Sequence, residues 1–394
     1  MSKQYIIQQF VLLYDKLPHQ GTIEWLANRS ERFGGSELAT LLNIDKYKTL
    51  LYLIKEKLGL ISQEETLQRL IFLNWGNNFE IVHQLILEQL FNTFIYELKS
   101  IPWHNNICFD YQDLTNINYG LLNSSYVHIS PDGLALINKS HIISLINNKS
   151  NFIKVYMPES FNLDNYDDEI FVMFEQKAPY SRNIMPSIPD YYVPQVMSGM
   201  CVIPFVNFAI YTEAVFRFAH VDNVLNKIYK TYKMPINQKD LNNVKPYKRG
   251  LIGYYVRLGT NKTTEIINRF KTDNNDLDLL KLDIIEVFEL FKLVKLRKYV
   301  DVDIINLDDS DIACNKVLCK NDTRNKDNTY YFLGFIGWYL YDVTFHFVEP
   351  DKNYLYKHYE YIKSVGDFIK KNKCINDESI IEDNYNTFMN ELSI

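Results

Sequence analysis

"VMFEQKAPYS", residues 172–181, is the stretch that decides how this chain is read. Val172, Met173 and Phe174 lead into Glu175, Gln176 and Lys177, and Pro179 closes the run. A buried strand therefore ends by presenting two opposite charges. Residues two apart on a strand share a face, which makes Glu175 and Lys177 neighbours. Burying a charge is costly unless a partner or a metal compensates it. On its own an E-x-K on a strand is usually a cross-strand ion pair, so any further meaning depends on the residues around it.

Upstream, "SPDG" (130–133) places Asp132 in a tight turn just before the short apolar strand of "SPDGLALIN". Glu80 follows "NWGNN" on a helix whose Phe79, Val82, Ile86 and Leu90 form one stripe, with Glu80 at its margin. Two carboxylates at adjoining strand ends and one from a helix make an oxygen-rich set that suits Mg²⁺, and the carbonyl of Gln176 adds another oxygen. Lys177, on the same face, is placed to orient or deprotonate a water attacking a phosphodiester.

The composition is compatible with that chemistry. The chain has 394 residues, enough for one large domain or two ordinary ones. With 47% hydrophobic and 23% charged residues it is globular rather than disordered. Its apolar runs, such as "FVLLY" and "FLGFIGWYLY", are shorter than the ~20 residues that span a bilayer. No basic segment with a small-residue cleavage site follows Met1, so an intracellular, soluble protein is expected. The five cysteines (108, 201, 314, 319, 374) complete no zinc set. Net charge is −6, but residues 217–271 hold twelve Lys or Arg against three Asp or Glu, a local balance of +9. Such a run is either a solvated face or a nucleic-acid surface.

Along the chain, "GGSELATLLNI" predicts a helix with Ser36 as N-cap, and "TLLYLIKEKLGL" predicts another ending at Gly59. Residues 139–168 are rich in Asn and Asp and read as a surface hairpin or loop outside the sheet. "PDYYVPQVMSGMCVI" predicts a helix with Pro194 in its first turn, and "FVNFAIYTEAVFRFA" a strand. Residues 216–330 read as a helical insertion, with a basic segment and then an amphipathic helix (Leu280, Ile284, Val287, Phe291, Val294). "FIGWYLYDVTFHFVEPDKNYL" returns as a strand or hairpin entering a final helix. The order predicts an α+β core, residues 1–215 plus 331–394, interrupted by the insertion at 216–330.

"PD" at 131–132 followed by "EQK" at 175–177 is similar to the PD-(D/E)XK nuclease signature, a restriction-endonuclease-like core with a central mixed sheet between helices. The neighbouring blocks resemble the lambda exonuclease / YqaJ-type viral recombinase branch, in order. They are "WLANRSERFGGSE" with Trp25, Arg29 and Ser36, "NWGNNFE" ending at Glu80, "ISPDGL", "EQKAP", and "YVPQVMSGM" with Tyr192, Gln195 and Met200. Met197 departs from the pattern at a second glutamine, and residues 216–330 align with nothing in the family.

The resemblance implies a Mg²⁺-dependent exonuclease with two ions, for which Mn²⁺ can substitute. Asp132 and Glu175 would bind metal, with Glu80 and the Gln176 carbonyl as further oxygens; Lys177 would be the catalytic lysine and Gln195 would support the site. Arg29 and Ser36 would form the pocket for a terminal 5′-phosphate, a role that a helix N-terminus and a bidentate arginine both suit. Arg182 and Tyr192 are further candidate contacts to DNA. Expected partners are duplex DNA ends and a single-strand annealing protein, with no membrane. A monomer is expected rather than a ring trimer, because residues 216–330 obstruct ring packing. A viral source is expected, with action in the host cytoplasm or nucleus. Two alternatives stand beside 5′→3′ resection: an endonuclease or RNA-degrading enzyme of the same fold, and an inactive DNA-binding module.

Overall fold

The computed structural model describes residues 2–15, 17, 29–30, 32–61, 67–103, 125–148, 150–180, 183–231, 240–259, 261–270, 300–307 and 330–392. Its strands are β1 (Phe33–Gly34), β2 (Ile101–Pro102), β3 (Val127–Ile129), β4 (Gly133–Asn138), β5 (Ile153–Tyr156), β6 (Glu169–Lys177), β7 (Phe208–Ala219), β8 (Lys248–Arg257), β9 (Val300–Leu307) and β10 (Tyr330–Val348). Its helices are α1 (Lys3–Tyr14), α2 (Gly35–Leu41), α3 (Leu50–Lys57), α4 (Leu67–Phe91), α5 (Lys139–Asn147), α6 (Val193–Val202), α7 (Val221–Leu225), α8 (Asn261–Phe270), α9 (Tyr354–Asn372) and α10 (Glu378–Leu392).

The main sheet is mixed, in the order β4-β6-β7-β10-β8-β9, and β5 also pairs with β10. β4 runs antiparallel to β6, and β6 runs parallel to β7. β10 is the spine. One edge pairs with β7 along most of its length, while the other pairs with β8 over its first half and with β5 over residues 343–346. β1, β3 and β2 form a small separate sheet.

Helices cover both faces, and side-chain alternation sorts β6 between them. Ile170, Val172 and Phe174 pack with Phe79, Val82 and Ile86 of α4. Phe171 and Met173 point the other way and pack with Val196 and Met200 of α6, where α1, α2, α3 and α9 also contribute. Phe79 stacks on Phe216 with ring centroids 4.5 Å apart. Each such fully buried apolar side chain contributes about 1.5–3 kcal/mol, which fixes the register of α4 against the sheet.

Several expectations need correction. Residues 139–168 are not a loop outside the sheet: α5 buries Ile142 and Leu145, and β5 joins β10. β4 and β6 remain direct neighbours because β5 attaches elsewhere in the sheet. Nor is the segment from 216 a helical insertion. The boundary at 215 falls inside β7, and β8 and β9 extend the main sheet. The reason is the apolar run of β8, whose Leu251, Ile252, Tyr254, Tyr255 and Val256 are all buried. The predicted helix around 280–294 lies outside the described residues. Gly34, not Ser36, is the N-cap of α2, with Glu37 Oε2 accepting from the Gly34 amide at 2.8 Å. α4 begins before "NWGNN" and runs through it. Pro194 does sit in the first turn of α6. Among the described residues, no helix is long and apolar enough to cross a membrane.

Candidate active site

The C-terminal tip of β6 brings three of the expected residues together. Alternation sends Glu175 and Lys177 to the α6 face and Gln176 to the α4 face. Asp132, in the turn before β4, reaches across to the same tip, and its Oδ2 accepts from the Gln176 amide at 2.7 Å. Lys177 Nζ lies 3.6 Å from Asp132 Oδ2 and donates to Glu175 Oε1. Tyr192 lies over this lysine, its ring centroid 5.4 Å from Nζ.

The electrostatics are those of a site with too little positive charge. Glu175 is 1% exposed. Burial, and then the neighbouring Asp132, push its carboxyl up to about 8 against the pull of Lys177. Burial works to lower the Lys177 ammonium, but Asp132 and Glu175 outweigh it and hold it above the usual lysine range. One ammonium therefore serves two carboxylates.

A second cluster stands on α2. Arg29 Nη2 donates to Ser36 Oγ at 3.2 Å, and Arg29 Nε lies 3.5 Å from Glu37. Lys57, at the end of α3, donates to the carbonyls of Arg29 and Arg32, each at 2.6 Å, and lies 3.0 Å from Glu37. Burial tends to raise the Glu37 carboxyl, but Lys57 and Arg29, with the Gly34 amide, hold it below the usual range. Burial also lowers the Lys57 ammonium, more than Glu37 restores. Lys57 ties the Arg29 backbone to α2, a task that sequence alone does not assign to it. Its spacing from Glu37 carries no local signal; only the burial of a lysine on an apolar helix hints at it.

The first turn of α6 links the two clusters. Tyr192 precedes that turn, and Gln195 within it lies against Gly35, where a Cβ would meet Gln195 Cγ at 3.3 Å and Ile129 Cδ1 at 3.6 Å. Gln195 thus stands between the Lys177 site and the N-terminus of α2.

Other expected residues are placed differently. Glu80 is half-buried on α4, a helix packed against the opposite face of the sheet. Among the described residues, no three His, Cys, Asp or Glu side chains lie close enough to hold a metal ion, so Glu80 does not close a ligand set with Asp132 and Glu175. The Gln176 side chain is buried on the α4 side, its amide atoms without hydrogen-bond partners. One turn after Glu80, His83 Nε2 meets Thr212 Oγ1 at 3.1 Å. Burial, then the charge of Lys177, press the His83 imidazole down to about 3. The sequence does not single out His83, since a histidine on an apolar stripe has no distinguishing pattern. Arg182 lies outside the described residues.

Asp132 and Glu175 nevertheless fit a hard divalent cation: they are two converging oxygen donors, one of them buried and in need of more positive charge than Lys177 supplies.

Residues 24–205 match the YqaJ-like viral recombinase domain. Three curated relatives are versions of one protein of African swine fever virus. The version from a South African tick isolate is 31% identical over 212 residues, and that from the Badajoz strain 32% over 214 residues, in both cases 54% of this chain and 54% of the relative. The version from a Malawi tick isolate is 31% identical over 218 residues, 55% of each chain. The chain thus spans about half the length of the curated relatives it matches. The matched residues run from just before Arg29 to just past α6, so they include Asp132, Glu175, Lys177 and Gln195. Over residues 24–205, a little under half of its length, this chain is similar to the YqaJ-like viral recombinase domain.

Proposed function

We propose that the chain is a metal-dependent deoxyribonuclease of the PD-(D/E)XK type that degrades duplex DNA from its ends, 5′→3′, leaving 3′ single strands for recombination, repair or replication. The convergence of Asp132, Glu175 and Lys177 on one face of the β6 tip carries this reading. Asp132 and Glu175 would hold Mg²⁺, with the Gln176 carbonyl as a further oxygen and water filling the remaining positions. A bound Mg²⁺ supplies Lewis-acid polarisation of the phosphate and a water of lowered pKa. Lys177, freed from balancing two carboxylates, faces the charge that builds on the phosphate and orients the attacking water. Gln195 holds the first turn of α6 against α2. Arg29 and Ser36 would take the terminal 5′-phosphate, because Arg29 and Lys57 leave that cluster one positive charge in excess of Glu37.

The test is a linear duplex labelled separately at its 5′ and 3′ ends, with a 5′-phosphate or a 5′-hydroxyl, incubated with the protein and Mg²⁺. Early release of 5′-labelled nucleotide, slower from the 5′-hydroxyl duplex and absent in Asp132→Asn, is expected. Early release of the 3′ label would overturn the polarity, and cleavage of a closed circle would overturn the end requirement. Tight binding of the duplex with no cleavage in Mg²⁺ or Mn²⁺ would overturn the enzymatic reading.

A further inference from the structure

Arg217 is a buried cation that the site above does not use. It lies on β7 on the same face as Glu213, the residue paired in register with Lys177. Arg217 lies four positions beyond Glu213 on the strand, about 13 Å at the usual rise per residue. β6 stops at Lys177, so residues 214–219 of β7 run on past the tip that carries the site. The Arg217 side chain is almost wholly buried; the residue is 4% exposed. Nη1 donates to the Phe216 carbonyl at 2.5 Å, while Nε is buried with no hydrogen-bond partner. Among the described residues, no carboxylate forms an ion pair with it; the titratable groups beside it are the neutral phenols of Tyr341 and Tyr180. Burial pushes the guanidinium down to about 10. A buried arginine is ordinarily paired with an acid, because an unpaired buried charge is strongly destabilising. A guanidinium kept in such a place, with donors unspent, suits an anion that arrives from outside, and its planar fork matches a phosphate.

We propose that Arg217 is a phosphate-binding residue, holding a backbone phosphate of the nucleic-acid strand whose scissile phosphate lies at Asp132, Glu175 and Lys177. Tyr180 and Tyr341 flank that phosphate. The proposal rests on the nuclease reading, and it turns the long β7 into a rail that carries the strand beyond the chemistry.

The test measures duplex DNA binding by the full chain in EDTA, where no cleavage occurs, between 50 and 200 mM salt, for wild type, Arg217→Met and Arg217→Lys. Arg217→Met is expected to bind roughly tenfold more weakly at low salt, with the slope of log K against log [salt] shallower by about 1, whatever the sequence. Its melting temperature without DNA is expected to equal or exceed that of wild type, since an uncompensated buried charge has been removed; a purely structural arginine would lower it. Arg217→Lys keeps the charge, so its slope should stay at the wild-type value while affinity falls, and this variant decides the matter if Arg217→Met does not fold. Wild-type affinity and slope in both variants would overturn the Arg217 site and leave the nuclease reading standing. Absence of DNA binding by the wild type would overturn both.

Discussion

The tip of β6 and the N-terminus of α2 are built from the same materials and tuned in opposite directions. Each sets a buried glutamate against a lysine. At β6, Glu175 shares Lys177 with Asp132, and its carboxyl is pushed up to about 8 by burial and by that second carboxylate. At α2, Glu37 is shared by Lys57 and Arg29 and receives the Gly34 amide, and its carboxyl is held low. Counting those side chains, the first cluster is one positive charge short and the second has one to spare. A glutamate–lysine contact therefore says little by itself. The third charged group decides whether the place suits a cation or an anion.

The largest break in this contrast comes from the short side. Glu175→Gln and Asp132→Asn are each expected to lower the rate of duplex degradation by about 10²–10⁴-fold. Glu175→Gln should leave the melting temperature at pH 7 near the wild-type value, because a carboxyl pushed up to about 8 is already largely neutral there. Quantified nucleotide release, together with a thermal melt, checks both parts.

Lys57→Met comes next. It strands Glu37 without its closest cation and removes the ammonium donor from the Arg29 and Arg32 carbonyls, leaving the Arg29 carbonyl with the Arg32 amide at 3.4 Å. Removing one partner of such a buried pair costs about 3–5 kcal/mol, read as a lower denaturant midpoint. Arg29→Gln is gentler on the fold, since Arg29 is a third exposed. Its effect should fall on substrate choice: loss of a charge-assisted contact of about 1.5–3 kcal/mol erases most of the preference for a 5′-phosphate over a 5′-hydroxyl end. Equal preference in wild type and variant would detach this pocket from DNA ends.

The smallest expected effect sharpens the view of the α4 side. His83 is pressed to about 3, by burial and then by Lys177, from an ordinary value near 6.5. Between those pH values the unfolded chain binds a proton that the folded chain refuses, so stability falls as pH drops below about 6.5, by up to about 1.4 kcal/mol per unit. His83→Gln, which keeps a group able to meet Thr212, should lose less stability than wild type between pH 7 and pH 5 in denaturant titrations.

How much of this is legible in the sequence follows from how local each signal is. Asp132, Glu175 and Lys177 can be read because a turn, a strand period of two and a charged strand end are all short-range patterns. The Arg29–Ser36 contact is readable as part of a family block, but the cap lies two residues earlier than Ser36, since the backbone chooses Gly34 with Glu37 as its acceptor. Lys57 is invisible because its partners lie on other elements. The strands β8 and β9 escape for a different reason: the charge of the segment dominates its reading, and "GLIGYYV" within it is a buried strand between two arginines. β5 is hidden by asparagine-rich flanks that are turn-forming in themselves.

The central claim is that the β6 tip awaits a cation, and it can be measured without any DNA. Mn²⁺ is titrated into the full chain at pH 7 by calorimetry in buffers of differing ionisation enthalpy. With Glu175 at about 8 in the metal-free protein, binding should release close to one proton, and affinity should rise with pH until about 8. Glu175→Gln should abolish the proton release and weaken binding. Binding that releases no proton, or that Glu175→Gln leaves unchanged, would contradict the account.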